Sequence, residues 1–480
     1  MGIFANPLTD LLEYEDFSRD FLKGTDPVGM TGCIDSEKVH FMSTFLGEKK
    51  VQLVVTYNEQ RAREIEEDYK LFCSQVYVIP PRDLIFFSAD LQGNAIIAER
   101  MKAFAALYQN EAKVIITTID ALMSAAVPFE QLMSHVIKLK EGDELDLEKL
   151  KHDLTVMGYE RVGRVEEPGQ FTVHGGIADV YPLTMEVPVR IELWGDEIDT
   201  IRCFEPQSQR SMDQIESVSV FPAAEVIADD TARRRAVGMI QNELESQLAV
   251  FKKVKEPDKA KRLREETNRI LEALDEEVVL EAPDSYISYF YPRTVRLSEY
   301  FDEKNTLVFL DEPMRLKERG DGVQAEFEES MKNRLEQGFL LPGQTALLTP
   351  AKHVLAAFER GQVAALSSLD SRLADFTVVN SYAVNVQNMN TYREGFELLI
   401  KDLTHWKKEK YRIVLLCPSR TRANRIVNQL IEYDLLAYYS EDEDKKINPG
   451  EIMVTYGNLH RGFLYPMLKF AVITESDIFG

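Results

Sequence analysis

Gly29-Met30-Thr31-Gly32-Cys33-Ile34-Asp35-Ser36 is the stretch on which the fold turns. It has the outline of a phosphate-binding loop, G-x-x-x-x-G-K-[ST], whose backbone N–H groups cradle phosphates while its lysine reaches the outer oxygens. Gly29 and Ser36 fit that outline, with Gly32 between them, but Ile34 stands at the second glycine and Asp35 at the lysine. A β-branched side chain lacks glycine's backbone freedom. The aspartate puts negative charge where a triphosphate would lie. Together the two changes are expected to abolish nucleotide binding. Taken alone, the stretch also reads as an unrelated glycine turn before a helix, so its neighbours decide.

Around it, apolar strands alternate with amphipathic helices through residues 1–135. Val51 to Thr56, Val76 to Ile79 and Val114 to Thr118 read as buried strands, with a helix carrying Arg61, Arg63, Glu64 and Glu67 after the first. A second helix runs from about Ile97 to Tyr108. This alternation predicts a parallel sheet covered on both faces. Far along the chain, Thr306 to Pro313 is another apolar run, ending in Asp311-Glu312. Such a pair at a strand's carboxyl end holds magnesium in an ATPase. Without a lysine-bearing loop it is expected to have nothing to act on.

Residues 136–222 differ in character. Between Glu141 and Glu216 acidic side chains number 18 against 7 basic ones, and short strands replace long ones. A small α+β domain is expected, with a helix from about Leu145 to Met157 capped by Gly158. Turn signals at Pro182 to Pro188 and at Gly195-Asp196 divide Gln170 to Phe204 into three runs of an antiparallel meander. In the middle run Val189, Ile191 and Leu193 share one face and Arg190, Glu192 and Trp194 the other. The aliphatic face is core. A large aromatic beside an arginine and a carboxylate on the other face marks a candidate partner surface, since Trp and Arg are enriched among binding hot spots. Burial under a further layer is the plainer alternative.

Residues 223–375 open with two charged helices broken at Glu256-Pro257-Asp258, read as a salt-bridged, solvent-facing pair. Residues 376–480 form a further α/β unit: a helix from about Thr391 to Lys408, a strand from Tyr411 to Cys417, a helix from Thr421 to Tyr433, and strands at Ile452 to Tyr456 and Phe470 to Thr474. The sequence ends just after that last strand, which reads as a cut at a domain boundary.

A net charge of -24 disfavours a chain that grips nucleic acid by charge, so DNA binding is expected to be weak or absent. The four cysteines are far apart, without metal-ligand spacing, and read as buried thiols of a cytoplasmic protein. No apolar run suits a membrane span. No metal or cofactor is expected.

In this order the pieces resemble the N-terminal, UvrB-like region of the bacterial transcription-repair coupling factor. The carrying residues are the loop at 29–36, G-Y-E-R at 158–161, the run from Gly169 to Arg202, F-E-P-Q-S-Q-R-S at 204–211, F-P at 221–222 and L-D-E-P at 310–313. G-N-L-H-R-G-F-L-Y-P and A-V-I-T-E-S-D-I-F-G near the end match as well. The resemblance implies a degenerate RecA-like domain interrupted by a small UvrA-binding domain and followed by a second α/β domain of unknown task. UvrB carries a working phosphate loop and a long DNA-probing β-hairpin; here the loop is broken, and Pro80 to Glu99 passes into a helix without room for the hairpin. The family's UvrA contacts carry over to Arg190, Glu192 and Trp194, while a further arginine of the pattern is His174, read either as a contact weakened or made pH-sensitive or as a plain solvent-facing strand residue. RNA polymerase and duplex DNA engage later domains of that family. A non-catalytic adaptor recruiting UvrA to stalled transcription is expected, with a UvrB-like ATPase or a weak DNA-binding module as rivals.

Overall fold

The computed structural model describes residues 7–48, 50–82, 92–276, 280, 283–370, 376–392, 395–442 and 445–479. Four strands of the first part, β1 (Val28–Thr31), β2 (Val51–Thr56), β3 (Val76–Ile79) and β4 (Val114–Thr118), are buried along nearly their whole length. Strands of a parallel sheet sandwiched by helices must be apolar in this continuous way. Helices α1 (Asp35–Ser43) and α2 (Glu59–Tyr69) follow β1 and β2. The helix before β4 starts at Gln92. The reading that Pro80 to Glu99 leaves no room for a hairpin falls partly on residues 83–91, outside the described residues.

The chain then departs to build the small domain. The meander has four strands where the sequence suggested three runs: β5 (Gln170–His174), β6 (Ile177–Val180), β7 (Val189–Trp194) and β8 (Glu197–Phe204). The first run folds back at Gly175-Gly176, a two-glycine hairpin signal passed over in favour of the prolines, and Gly175 takes φ +61°. Helix Leu147–Val156 packs on the meander's inner face, burying Leu150 and Leu154 beside Phe171, Val189 and Ile191.

A helical hairpin, α3 (Asp230–Lys253) and α4 (Pro257–Asp275), leads back to the large sheet. There β9 (Thr306–Asp311), β10 (Val363–Ser367) and β11 (Asn380–Ala383) complete seven parallel strands in the order β11-β1-β10-β9-β2-β4-β3. The edge strand β11 comes from beyond residue 375, where the second segment was expected to end. Alternate residues feed two cores. Leu53, Val55, Ile115 and Leu310 point to one; Val54, Ile116, Leu307 and Phe309 point to the other. The fold is thus α/β and RecA-like, with a small domain inserted and a second α/β unit following.

That second unit has β12 (Arg412–Cys417) at its centre, flanked by parallel β13 (Ile452–Tyr456) and β15 (Phe470–Thr474), with β14 (Phe463–Tyr465) antiparallel to β15. Ile413, Leu415 and Cys417 face the unit's own helices. Val414 and Leu416 face the other way, into the core that holds Val39 and Phe41 of α1. The two α/β units therefore share a buried core. The helix expected from about Thr391 starts at Phe396, and a short helix, Glu475–Phe479, follows β15 where the sequence suggested a strand end. No helix among the described residues is long and apolar enough to cross a membrane.

Candidate functional site

Cross-strand register builds the outer face of the meander. On it Arg190 stands opposite Asp179 of β6 and Arg202 of β8, and Glu192 stands opposite Ile177 and Thr200. His174 pairs with Ile177 from the other side. Val189 and Ile191 are fully buried beneath, whereas Trp194 is 84% exposed at the strand end. Among the described residues no further layer covers it. A register shift between Glu192 and Leu193 marks a bulge, the usual device for re-aiming the residues that follow.

Arg190 is not a free cation. Its Nε and Nη2 donate to the two carboxylate oxygens of Asp179 at 2.8 and 2.7 Å, and its guanidinium lies 4.8 Å from the Phe204 ring centroid. This bidentate pairing fixes the guanidinium plane, and among the described residues Nη1 makes no hydrogen bond. Glu192 accepts from Thr200 at 3.3 Å. Arg202, which sequence reasoning passed over, has a buried Nε without a partner. His174 and Ile177 are exposed. The face therefore offers one open aromatic, one braced guanidinium, an unsatisfied arginine and an exposed isoleucine.

The degenerate loop carries a different arrangement. Asp311 and Glu312, expected to have no loop lysine to act with, meet a lysine from the helix instead: Lys38, one turn into α1, donates to both at 2.6 Å. Thr56 donates to the second Asp311 oxygen at 2.8 Å, and Arg61 lies 3.4 Å from it. Burial works against the charge on Lys38, but Asp311 and Glu312 outweigh it and hold the ammonium above the usual lysine range. Burial likewise pushes Asp311 up, and Lys38 with Arg61 brings it below the ordinary carboxylate range. An internal ammonium thus sits against the carboxylates that would bind magnesium.

The rest of the loop is spent as well. The Ile34 N–H, a natural phosphate donor, goes to Glu37 at 3.1 Å. Gly32 has φ +83°, and a Cβ there would lie 2.0 Å from the Val384 carbonyl, so the chain itself crosses the loop. The Arg461 N–H donates to Ser36 at 2.9 Å, and Tyr465 donates to Glu37 at 2.7 Å. Burial drives the Glu37 carboxyl up to about 7, although Tyr465 and the Ile34 N–H pull it down. Asp68, buried and accepting from the His460 N–H, rises to about 6. The second α/β unit is docked on the face where a phosphate would enter.

A family model described as the UvrB interaction domain matches residues 137–225, and one described as the D3 domain of MFD matches residues 405–478. The transcription-repair-coupling factor of Bacillus subtilis (strain 168) is 28% identical over 480 residues, covering 99% of this chain and 40% of that protein. Its counterparts in Staphylococcus epidermidis (27% over 485 residues) and Staphylococcus aureus strain Mu50 (25% over 494 residues) match all of this chain and 40% of their own lengths. The chain thus spans about two-fifths of the curated relatives it matches. With the UvrB interaction domain and the D3 domain in that order, the chain resembles from end to end the N-terminal, UvrB-like region of the transcription-repair coupling factors.

Proposed function

We propose that this chain is a non-catalytic adaptor whose meander face docks UvrA, bringing excision repair to stalled transcription. The observation that carries the reading is Trp194, 84% exposed at the open end of the face. A tryptophan left in water beside a braced arginine suits a partner's pocket. The unit of residues 136–222 is the docking domain in this reading. Residues 1–135 and 223–375, with β11, form a RecA-like scaffold whose nucleotide site is filled by Lys38. Residues beyond β11 form the second α/β domain. Polymerase engagement and DNA translocation belong to the remainder of the longer relatives, and the setting is the cytoplasm.

The test is UvrA affinity for wild type, Trp194→Ala and Arg190→Glu, with circular dichroism to monitor folding. Trp194→Ala is expected to weaken binding by 2–4 kcal/mol, about 30- to 1000-fold, as central aromatic anchors do. It leaves Val189 and Ile191 untouched. Wild-type affinity in a folded Trp194→Ala protein places the interface elsewhere.

A further inference from the structure

The turn between α3 and α4 is basic in an otherwise acidic chain. From Lys252 to Arg264 it carries seven Lys or Arg against two acids, in a protein of net charge -24. Lys259 is paired with Glu256 at 3.3 Å and Lys261 with Glu265 at 3.8 Å. Arg262 is engaged by the Gln337 carbonyl and the Phe339 ring. Lys252, Lys253, Lys255 and Arg264 are exposed, with no acidic partner among the described residues. Lys252, Lys255, Lys261 and Arg264 share one open groove of about 670 Å³ with Glu256 and an apolar remainder that includes Phe251 and Ala260.

Folding accounts for only part of this. Lys252 and Lys253 sit in the last turn of α3, where the helix dipole favours cations. Lys259 lies in the first turn of α4, where the dipole disfavours them, and Lys255 sits in the connection at φ +58°. Crowding like charges on one tip opposes folding, and the pairs made by Lys259 and Lys261 offset only part of it.

We infer that this tip is a docking site for the phosphate backbone of duplex DNA, used weakly and without sequence preference. A duplex presents about one negative charge per 1.7 Å of axis, and cations are drawn to it in proportion to the counterions they release. The choice of DNA over other polyanions rests on the transcription-repair reading above; the charge and the groove do not. The contact is weak, in keeping with the acidity of the rest of the chain.

The experiment measures binding of a fluorescent 30-base-pair duplex by the whole chain between about 50 and 200 mM salt. It compares wild type, Lys252→Ala/Lys255→Ala/Lys261→Ala/Arg264→Ala, and a control with alanine at the exposed Lys304, Lys332, Lys352 and Lys401. Four phosphate contacts give a log–log salt slope of about −3.6, hence an affinity loss of about 150-fold across that range. The tip variant is expected to lose most of that slope and at least tenfold in affinity at low salt, the control neither. Undetectable wild-type binding at low salt, equal loss in both variants, or a tip variant that behaves as wild type overturns the proposal. Displacement of the duplex by polyglutamate at equal charge does so too, pointing to an acidic protein. UvrA affinity measured on the same proteins reports on the adaptor reading alone, so the two can fail separately.

Discussion

Arg190 and Trp194 differ in what their substitution would report. Trp194 touches little of its own chain, so its loss reads directly on binding. Removal of Arg190 leaves Asp179, 6% exposed, without its cation, a change that costs stability because a mostly buried carboxylate loses its partner. Arg190 variants therefore need a stability measurement beside every affinity. Alternation along β7 made both residues legible, because side-chain direction is local. The tie to Asp179 was not, because it depends on register between strands. Lys38 was equally hidden: a loop pattern stops at Ser36, and the acids it meets are 273 and 274 positions away. Glu37 supplies a pH test. Its carboxyl is raised to about 7 from an ordinary 4.5, so between those values the folded state keeps a proton that the unfolded chain releases. Stability from this group is full below about 4.5 and falls as pH rises to about 7. Glu37→Gln, which cannot titrate, is expected to gain up to about 3 kcal/mol relative to wild type between pH 4.5 and 7 and to hold that gain above. Denaturant unfolding at pH 5 and pH 8 checks it, and a pH-independent difference refutes it.

Among elements, the apolar strands were readable because burial on both faces leaves a continuous signature, and all of β2, β3, β4, β12, β13 and β15 stand within a residue of where it put them. Their spatial order was not readable, since β11 and β9 come to flank β1 and β2 by crossovers that no local pattern encodes. The departures of the loop at Ile34 and Asp35 were legible, but they are only part of what sets it apart from a phosphate-binding loop. Lys38 fills the acid pair, Glu37 takes the Ile34 N–H, and Val384 crosses Gly32. The repaired sequence Ile34→Gly/Asp35→Lys is accordingly expected to give no saturable heat with millimolar Mg-ATP in calorimetry. Micromolar binding, worth about 8 kcal/mol, would show the two substitutions to be the whole defect.

Across the molecule, no local pattern marks the two α/β units as anything but neighbours on a string. Phe463, Tyr465, Phe470 and Val472 instead share a core with Val39, Phe41 and Phe72, so a boundary drawn on the chain does not mark a boundary in packing. Long-range apolar contacts of this kind carry no periodic trace. The ammonium of Lys38 lies beneath that joint, and its consequence is thermodynamic. A nucleotide site is filled from solution, and whatever fills it shifts the folded state by mass action. Here the occupant is bonded to the backbone, and its local concentration never varies. Melting temperatures in millimolar Mg-ATP, in magnesium alone and in chelator are expected to coincide, whereas a shift of several degrees with magnesium would mean the carboxylates still answer to the solvent. On the proposed reading this part of the molecule has no free ligand variable, and it keeps one state whatever the cell's nucleotide supply.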